Sequence, residues 1–273
     1  MKTRILSACI MLPLLALVFL GGKVLLVACF VIGLMGVGEF YRGFEALGVK
    51  PCRWIGYLSA LALAGVGLFH GSYPDRVMEY QLYFVWFFAV VLASLLYLFS
   101  IEKRQPADAA ATITGAFYVV FFSYHVVLVD QSAAPVLVWL IFLSAFGTDI
   151  MAYFTGVAIG KHKLCPKISP KKTIEGSIGG ILGSVILCGL FGWFFAEEYF
   201  VHCLVVGGLG GVISQLGDLT ASIFKRKMGI KDYGNLIPGH GGILDRFDSV
   251  LFTAPMVYYY IVFVLGFGAG YPV

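Results

Sequence analysis

Apolar residues run along this chain in long blocks, separated by short groups of glycine, proline and charged residues. A helix needs about 20 apolar residues to cross the hydrocarbon core of a membrane. Blocks of roughly that length lie near residues 5–22, 24–41, 54–71, 82–100, 111–129, 134–158, 177–196, 199–221 and 249–268. The pattern therefore predicts an all-α integral membrane protein with about nine transmembrane helices.

The composition supports this class. Hydrophobic residues make up 60% of the chain and charged residues 12%, whereas soluble domains have roughly 45–50% and about 25%. A soluble protein of 273 residues could not bury so much apolar surface, because the ratio of surface to volume is too high at this size. Soluble and disordered classes are therefore excluded.

The basic residues predict the orientation of these spans. If the N-terminus is cytoplasmic, 17 of the 19 Lys and Arg residues fall in cytoplasmic segments, and Lys23 and Arg76 fall outside. The positive-inside rule predicts this asymmetry, which a wrong number of spans would scramble. We therefore expect a cytoplasmic N-terminus, five spans within residues 1–130, and four spans in a catalytic region over residues 131–273.

Two of the predicted cytoplasmic loops, 161–175 and 225–248, hold ten of the 19 basic residues. A few charges in each loop would satisfy the topology, and both loops mix lysine with glycine, proline and serine. The natural anions at a membrane face are phosphates, so the loops are predicted to bind phosphate groups. Ordinary attraction to an anionic leaflet would use the same charges and stays open as the alternative.

Acidic residues also occur where lipid is expected. Glu39, Asp149 and Asp218 fall within predicted spans, where a charge costs about 2.5–3.5 kcal/mol on insertion scales. Asp245 and Asp248 border the ninth span and, being three residues apart, share one helix face. Intramembrane carboxylates of this kind indicate function rather than packing.

Helical spacing groups these carboxylates with basic residues. Asp218, Ser222 and Lys225 follow one another at intervals of four and three, so they share a face if the eighth span continues beyond the membrane. Asp218 could then meet Asp245 and Asp248 across the hairpin that joins the last two spans. Carboxylates beside Lys and Arg are typical of a site for Mg²⁺ and phosphate, although each Asp could instead pair with a nearby cation for topology.

The segment between these carboxylates contains a glycine-rich turn, PGHGG at 238–242, that leads into a predicted helix. Glycine lets backbone N–H groups approach an anion closely, and a helix N-terminus favours negative charge. This is not a Walker loop. The nearest approach to one, at 156–162, has the wrong spacing and lacks Ser or Thr after the lysine, which excludes a P-loop NTPase.

The run from Ser222 to Asp248 resembles the signature of the phosphatidate cytidylyltransferase (CDP-diacylglycerol synthase) family. In that pattern Ser, Lys-Arg, Lys-Asp, His-Gly-Gly, Asp-Arg and Asp recur at fixed intervals. The matching positions are Ser222, Lys225, Arg226, Lys231, Asp232, His240, Gly241, Gly242, Asp245, Arg246 and Asp248. A second stretch, 149–176, also resembles the family, so the resemblance covers roughly residues 145–266.

The resemblance implies an enzyme of phospholipid biosynthesis that converts CTP and phosphatidate to CDP-diacylglycerol and pyrophosphate. It implies Mg²⁺, with a second cation left open, and a bacterial inner-membrane location with the active site facing the cytoplasm. Asp218 and Asp245 would be metal ligands, with Asp248 as a third. The implied catalytic residues are Asp218, Lys225, Arg226, Lys231, His240, Asp245, Arg246 and Asp248. The implied substrate-binding residues are Ser169, Lys171, Lys172, Thr173, Ser222, Gly241 and Gly242.

Several alternatives stay open. A CTP-dependent polyprenol kinase needs the same nucleotide and a lipid acceptor, and a transporter would also place charges within spans. Asp149 and Glu175 are expected to orient the basic groups, and for Glu39 a satisfied interhelical hydrogen bond is favoured over catalysis. Glycine pairs such as those at 176/180 and 207/211 are predicted helix-packing notches that could equally serve a homodimer. Membrane lipids are expected partners, and nucleic acid is not.

Overall fold

A computed structural model describes residues 16–73, 76–236 and 241–266 of the protein, and it is mostly helical. The helices of the first half are α1 (Gly22–Glu45), α2 (Arg53–Leu68), α3 (Arg76–Leu96), α4 (Pro106–Gly115) and α5 (Phe122–Asp130), with a π-helical segment, Ala116–Phe121, between the last two. Those of the second half are α6 (Val138–Ile159), α7 (Ile174–Phe195), α8 (Phe200–Lys227), α9 (Leu244–Phe247) and α10 (Val250–Phe263). Short 3₁₀ turns occur at Tyr97–Phe99, Pro135–Leu137 and Glu197–Tyr199.

Six helical stretches of the described chain are long and apolar enough to cross a membrane. They are Gly22–Glu45, Val77–Phe99, Pro106–Asp130, Pro135–Ile159, Ile174–Phe195 and Glu197–Lys227. Helices α2 and α10 are apolar but shorter. A helix thus occurs at eight of the predicted apolar blocks, while most of the block at 5–22 lies outside the described residues.

The expectation of an all-α chain is wrong at one place. Strands β1 (Lys163–Cys165) and β2 (Ser169–Thr173) pair antiparallel between α6 and α7. The segment is rich in lysine and proline, so it cannot continue an apolar helix. Its second strand ends where the Thr173 hydroxyl accepts a hydrogen bond from the Gly176 N–H and caps α7. The hairpin therefore brings the basic residues back towards the membrane helices.

Close packing of α6, α7 and α8 depends on the predicted glycine notches. A Cβ placed on Gly180 would lie 2.9 Å from the Thr148 carbonyl oxygen, and one on Gly207 would lie 2.9 Å from the Ser184 carbonyl oxygen. Either methyl group would push neighbouring helices apart. These glycines serve packing within the chain, as predicted, and they let α6, α7 and α8 lie close together.

Candidate active site

Helix α8 carries the first part of the site. It continues to Lys227, so the three basic residues at 225–227 lie on the helix. The loop after α8 is therefore shorter than predicted. The Ser222 hydroxyl lies 3.5 Å from Asp218 Oδ1, one turn away. The predicted shared face of this helix is therefore confirmed.

Asp245 ties the loop to α8. Its Oδ1 accepts a hydrogen bond from Lys225 Nζ at 2.8 Å, and its Oδ2 accepts from the backbone N–H groups of Tyr233 at 2.8 Å and Gly242 at 2.9 Å. The Asp245 side chain is almost fully buried. The end of α8 and the start of the last helices thus meet, and both Asp245 oxygens accept hydrogen bonds. Its role as a metal ligand stays a prediction.

The turn after Gly241 is also hydrogen-bonded to a second carboxylate, that of Glu39 in the first half of the chain. The N–H groups of Ile243 and Leu244 donate to Glu39 Oε1 at 3.1 Å and Oε2 at 2.9 Å. Together with the bond from Gly242 to Asp245, three consecutive N–H groups are taken by the protein's own carboxylates. The Gly242 N–H predicted to face a phosphate therefore already has an acceptor. The anion at this helix N-terminus is Glu39, which confirms the expectation that Glu39 has hydrogen-bond partners.

Part of the predicted loop lies outside the described residues, namely 237–240, which include His240. The role of His240 stays a prediction. Gly241, at the edge of that gap, has φ +84°, and a Cβ there would lie 2.8 Å from Asp245 Oδ2. Both observations require glycine at this position.

Asp149, Asp218 and Asp248 interact electrostatically and form an acidic cluster. Asp149 Oδ2 accepts a hydrogen bond from the Ser249 hydroxyl at 3.3 Å, and Asp248 Oδ1 accepts from the Ser249 N–H at 2.8 Å. Asp248 is buried at the start of α10, and this burial, together with the Asp218 carboxylate, raises the pKa of the Asp248 carboxyl. Like charges in such a cluster make each carboxyl harder to ionise, and a cation among them would offset that cost.

The β1–β2 hairpin places cations against this acidic cluster. Lys172 Nζ forms an ion pair with Asp218 Oδ2, and Arg226 Nε lies 3.4 Å from the Ile168 carbonyl oxygen. The predicted second basic wall therefore reaches α8 through Lys172, whereas Lys171 points to solvent. Ser169 and Thr173 lie at the two ends of β2.

Glu175 holds the start of the hairpin segment, and its expected part in orienting the basic groups stays a prediction. Its carboxylate accepts hydrogen bonds from the Lys161 N–H at 3.1 Å and from His162 Nδ1 at 2.6 Å. These contacts fix the start of the hairpin segment to the first turn of α7. Glu175 thus positions the hairpin as a whole.

Tyr118 is a candidate that sequence reasoning missed. It lies on the π-helical segment and is 7% exposed, and its hydroxyl interacts electrostatically with Asp248 and Asp218. Within the part of the chain that the structure describes, neither the Tyr118 hydroxyl nor the buried Nε of Arg246 has a hydrogen-bond partner. π-Helical turns are frequent at functional sites, but no residue pattern announces one in the sequence.

The carboxylate oxygens of the acidic cluster are the kind of ligand that Mg²⁺ prefers. No group of three or more His, Cys, Asp and Glu side chains in residues 16–73, 76–236 and 241–266 stands close enough to hold a metal ion alone. Mg²⁺ does not need such a group, because it commonly takes one or two carboxylates and completes its shell with water and substrate phosphates. Asp218 and Asp248 meet that requirement, with Lys172 and Lys225 close enough to compensate their charge.

Comparison with known proteins places these residues in context. The model of the "Cytidylyltransferase family" matches residues 2–264. The chain is 32% identical to the phosphatidate cytidylyltransferase of Synechocystis sp., over 96% of this chain and 97% of that protein. It is 36% identical to the phosphatidate cytidylyltransferase of Staphylococcus haemolyticus, over 94% of this chain and 97% of the relative. With that of Bacillus subtilis it shares 38% identity over 63% of this chain and 65% of the relative.

Proposed function

The chain belongs to the cytidylyltransferase family, and we propose that it transfers the cytidylyl group of CTP to phosphatidate. A phosphate oxygen of phosphatidate attacks the α-phosphorus of CTP, and the bond from that phosphorus to the bridging oxygen of the β-phosphate breaks. The products are CDP-diacylglycerol and pyrophosphate, which leaves with the electron pair of the broken bond. The similarity to phosphatidate cytidylyltransferases over nearly the whole chain carries this proposal.

The reaction needs no covalent intermediate on the protein, so the side chains act by positioning and by compensating charge. Lys172 and Lys225 stand beside carboxylates at the site and would hold the phosphates of CTP and of the lipid, with Arg226, Lys231 and Arg246. A guanidinium group suits bidentate contact with phosphate better than an ammonium group does. Arg246, whose buried Nε lacks a partner among the described residues, is the first candidate for such a contact.

Mg²⁺ would be held by Asp218 and Asp248, with Asp245 as a third carboxylate. A bound Mg²⁺ would neutralise phosphate charge and align the leaving pyrophosphate. Asp218 and Asp248 are favoured because Asp245 already accepts three hydrogen bonds. In a metal-bound form Lys172 would release Asp218 and become available for a substrate phosphate.

The proposal includes a topology. Nine spans with a cytoplasmic N-terminus would put the hairpin and the loop after α8 on the cytoplasmic side of a bacterial inner membrane, where CTP is available. Phosphatidate would reach the same face from the cytoplasmic leaflet. The distribution of 17 of 19 basic residues supports this orientation.

The test is an assay of purified protein with labelled CTP, phosphatidate and Mg²⁺, scored for a liponucleotide and for pyrophosphate. We expect both products in equal amounts. Formation of CMP alone, or of no product by folded protein, would reject the proposal. A phosphorylated polyprenol and CDP, formed when polyprenol replaces phosphatidate, would show a CTP-dependent polyprenol kinase instead.

A further inference from the structure

We infer that Glu39 is a positioning residue for the proposed reaction, holding the turn that presents Asp245, Arg246 and Asp248. The inference rests on the proposed function. Glu39 lies on α1, outside both basic loops, and is separated from its hydrogen-bond partners by more than 200 residues of chain. It would act through those partners, without contact to substrate.

The contacts of Glu39 are specific to a carboxylate. Each of its two oxygens accepts one backbone N–H, from Ile243 and from Leu244, and the side chain is only 3% exposed. A carboxylate buried to this degree and aimed at two N–H groups satisfies donors that the first turn of α9 leaves unpaired. Removing it would leave two buried donors without acceptors, which is costly.

The loop is built to let Glu39 approach. A Cβ on Gly234 would lie 2.5 Å from Glu39 Oε1, and a Cβ on Gly242 would overlap the same carboxylate. Neither glycine has a positive φ, so close approach, and not backbone conformation, explains both. The two glycines together indicate that the loop is shaped around the Glu39 carboxylate.

Glu39 and Asp245 accept hydrogen bonds from different N–H groups of the same turn. Asp245 holds Gly242 and joins it to Lys225, while Glu39 holds the next two N–H groups. The side chains of Asp245, Arg246 and Asp248 follow within four residues of this clamp. A shift of about 1 Å in such groups is enough to slow a reaction on the order of 100-fold, so Glu39 controls turnover without touching the phosphates.

The experiment compares Glu39→Gln with Glu79→Gln. Glutamine keeps one acceptor and turns an NH₂ group towards a backbone donor, so one hydrogen bond is lost and two donors face each other. Glu79 is a matched control, because it is similarly buried on α3 and contacts His70 Nδ1 and the Tyr83 hydroxyl, neither of which belongs to the loop. The readouts are kcat, KM for CTP, and hydrogen–deuterium exchange of the peptide that contains residues 241–247.

We expect Glu39→Gln to lower kcat on the order of 100-fold, to change KM for CTP much less, and to speed exchange in 241–247. Glu79→Gln should leave both the exchange rate and kcat near those of the parent protein. Glu39→Asp keeps the charge but is one methylene shorter, and should recover part of both losses. Hydrogen exchange does not depend on turnover. The exchange data therefore show whether Glu39 holds the turn even if the protein does not catalyse the proposed reaction.

A second pair of variants covers the case in which Glu39→Gln does not fold. Gly234→Ala should displace the Glu39 carboxylate and produce the same two changes in weaker form. Gly65→Ala is its control, since a Cβ at Gly65 has open space around it. Unchanged exchange in 241–247 for both Glu39→Gln and Gly234→Ala would overturn the inference, and so would faster exchange with kcat unaffected.

Discussion

At the scale of single residues, the site combines carboxylates that repel one another with ammonium groups that compensate them. Asp218 has Lys172, and Asp245 has Lys225. Asp248 accepts a hydrogen bond from the Ser249 N–H and interacts electrostatically with the more distant Lys225. Under the proposed function a cation between Asp218 and Asp248 would offset their charge, and substitutions of these two residues test that arrangement.

Asp218→Asn should lower kcat by more than about 100-fold, because charge stabilisation for the leaving pyrophosphate is lost. KM for CTP should rise less, since the loss is greatest in the transition state. Lys227→Ala is the control. It lies on the same exposed end of α8 but outside the family signature, and should retain activity. Near-normal kcat for Asp218→Asn at saturating Mg²⁺ would place the metal elsewhere.

Asp248→Asn should lose activity and yet stabilise the metal-free fold. The pKa of the Asp248 carboxyl is raised by burial and by Asp218, so the folded protein holds its proton at higher pH than the unfolded chain does. The stability of the parent protein should therefore fall as pH rises above the ordinary carboxyl range, whereas Asp248→Asn lacks this loss. Thermal unfolding in EDTA from about pH 6 to about pH 9 measures the difference. If the stabilities of the two proteins changed with pH in parallel, the raised pKa of the Asp248 carboxyl would be contradicted.

At the scale of elements, the β1–β2 hairpin is the part of the fold that the local sequence did not predict. Its strands are only three and five residues long, and Glu175 fixes its start while Lys172 fixes its end to α8. Short paired strands gain little stability alone. The hairpin therefore depends on the carboxylates of Glu175 and Asp218 for its position over the site.

Lys172→Ala should raise KM for CTP or for phosphatidate and leave Asp218 without its ammonium partner. Lys167→Ala, in the turn between the two strands, removes the same charge from the same hairpin and should have a small effect. Initial rates with each substrate varied in turn separate the two. Equal effects of the two substitutions would mean that the hairpin acts through its net charge alone.

At the scale of the whole molecule, the N-terminal helices contribute to the site. Glu39 on α1 and Tyr118 on the π-helical segment both reach the loop or the acidic cluster. The division into an N-terminal membrane region, 1–130, and a catalytic region, 131–273, stays a prediction as an organisation of the spans. A catalytic role of the second half would depend on the first, because Glu39 on α1 holds the turn before Asp245.

The proposed topology can be tested by labelling. In a cysteine-free background, single cysteines at Lys167 and Asn235 should react with membrane-impermeant reagents only when the cytoplasmic face is accessible. A cysteine at Ser72, in the α2–α3 turn, should react from outside intact cells. Labelling of either cytoplasmic position from outside would reject the nine-span arrangement and with it a single cytoplasmic active face.

The sequence by itself determined the class of protein and the position of its helices, and it named the candidate site residues, whose roles stay predictions. Helical period and apolar block length are local properties, so eight apolar blocks could be assigned as helices, and the face shared by Asp218, Ser222 and Lys225 followed from spacing alone. The family signature then marked 222–248. The sequence left open what the glycine-rich turn binds, because glycine lets backbone N–H groups approach a phosphate and a carboxylate equally closely.

The tertiary structure decided which groups meet. Glu39 contacts residues 204 and 205 positions away, and Lys172 meets Asp218 through a hairpin whose pairing depends on its surroundings more than on strand propensity. Neither contact leaves a periodic trace along the chain. A buried carboxylate shows in a sequence that it must have a partner, but the choice between a metal, a lysine and a backbone N–H depends on which helices pack together in space.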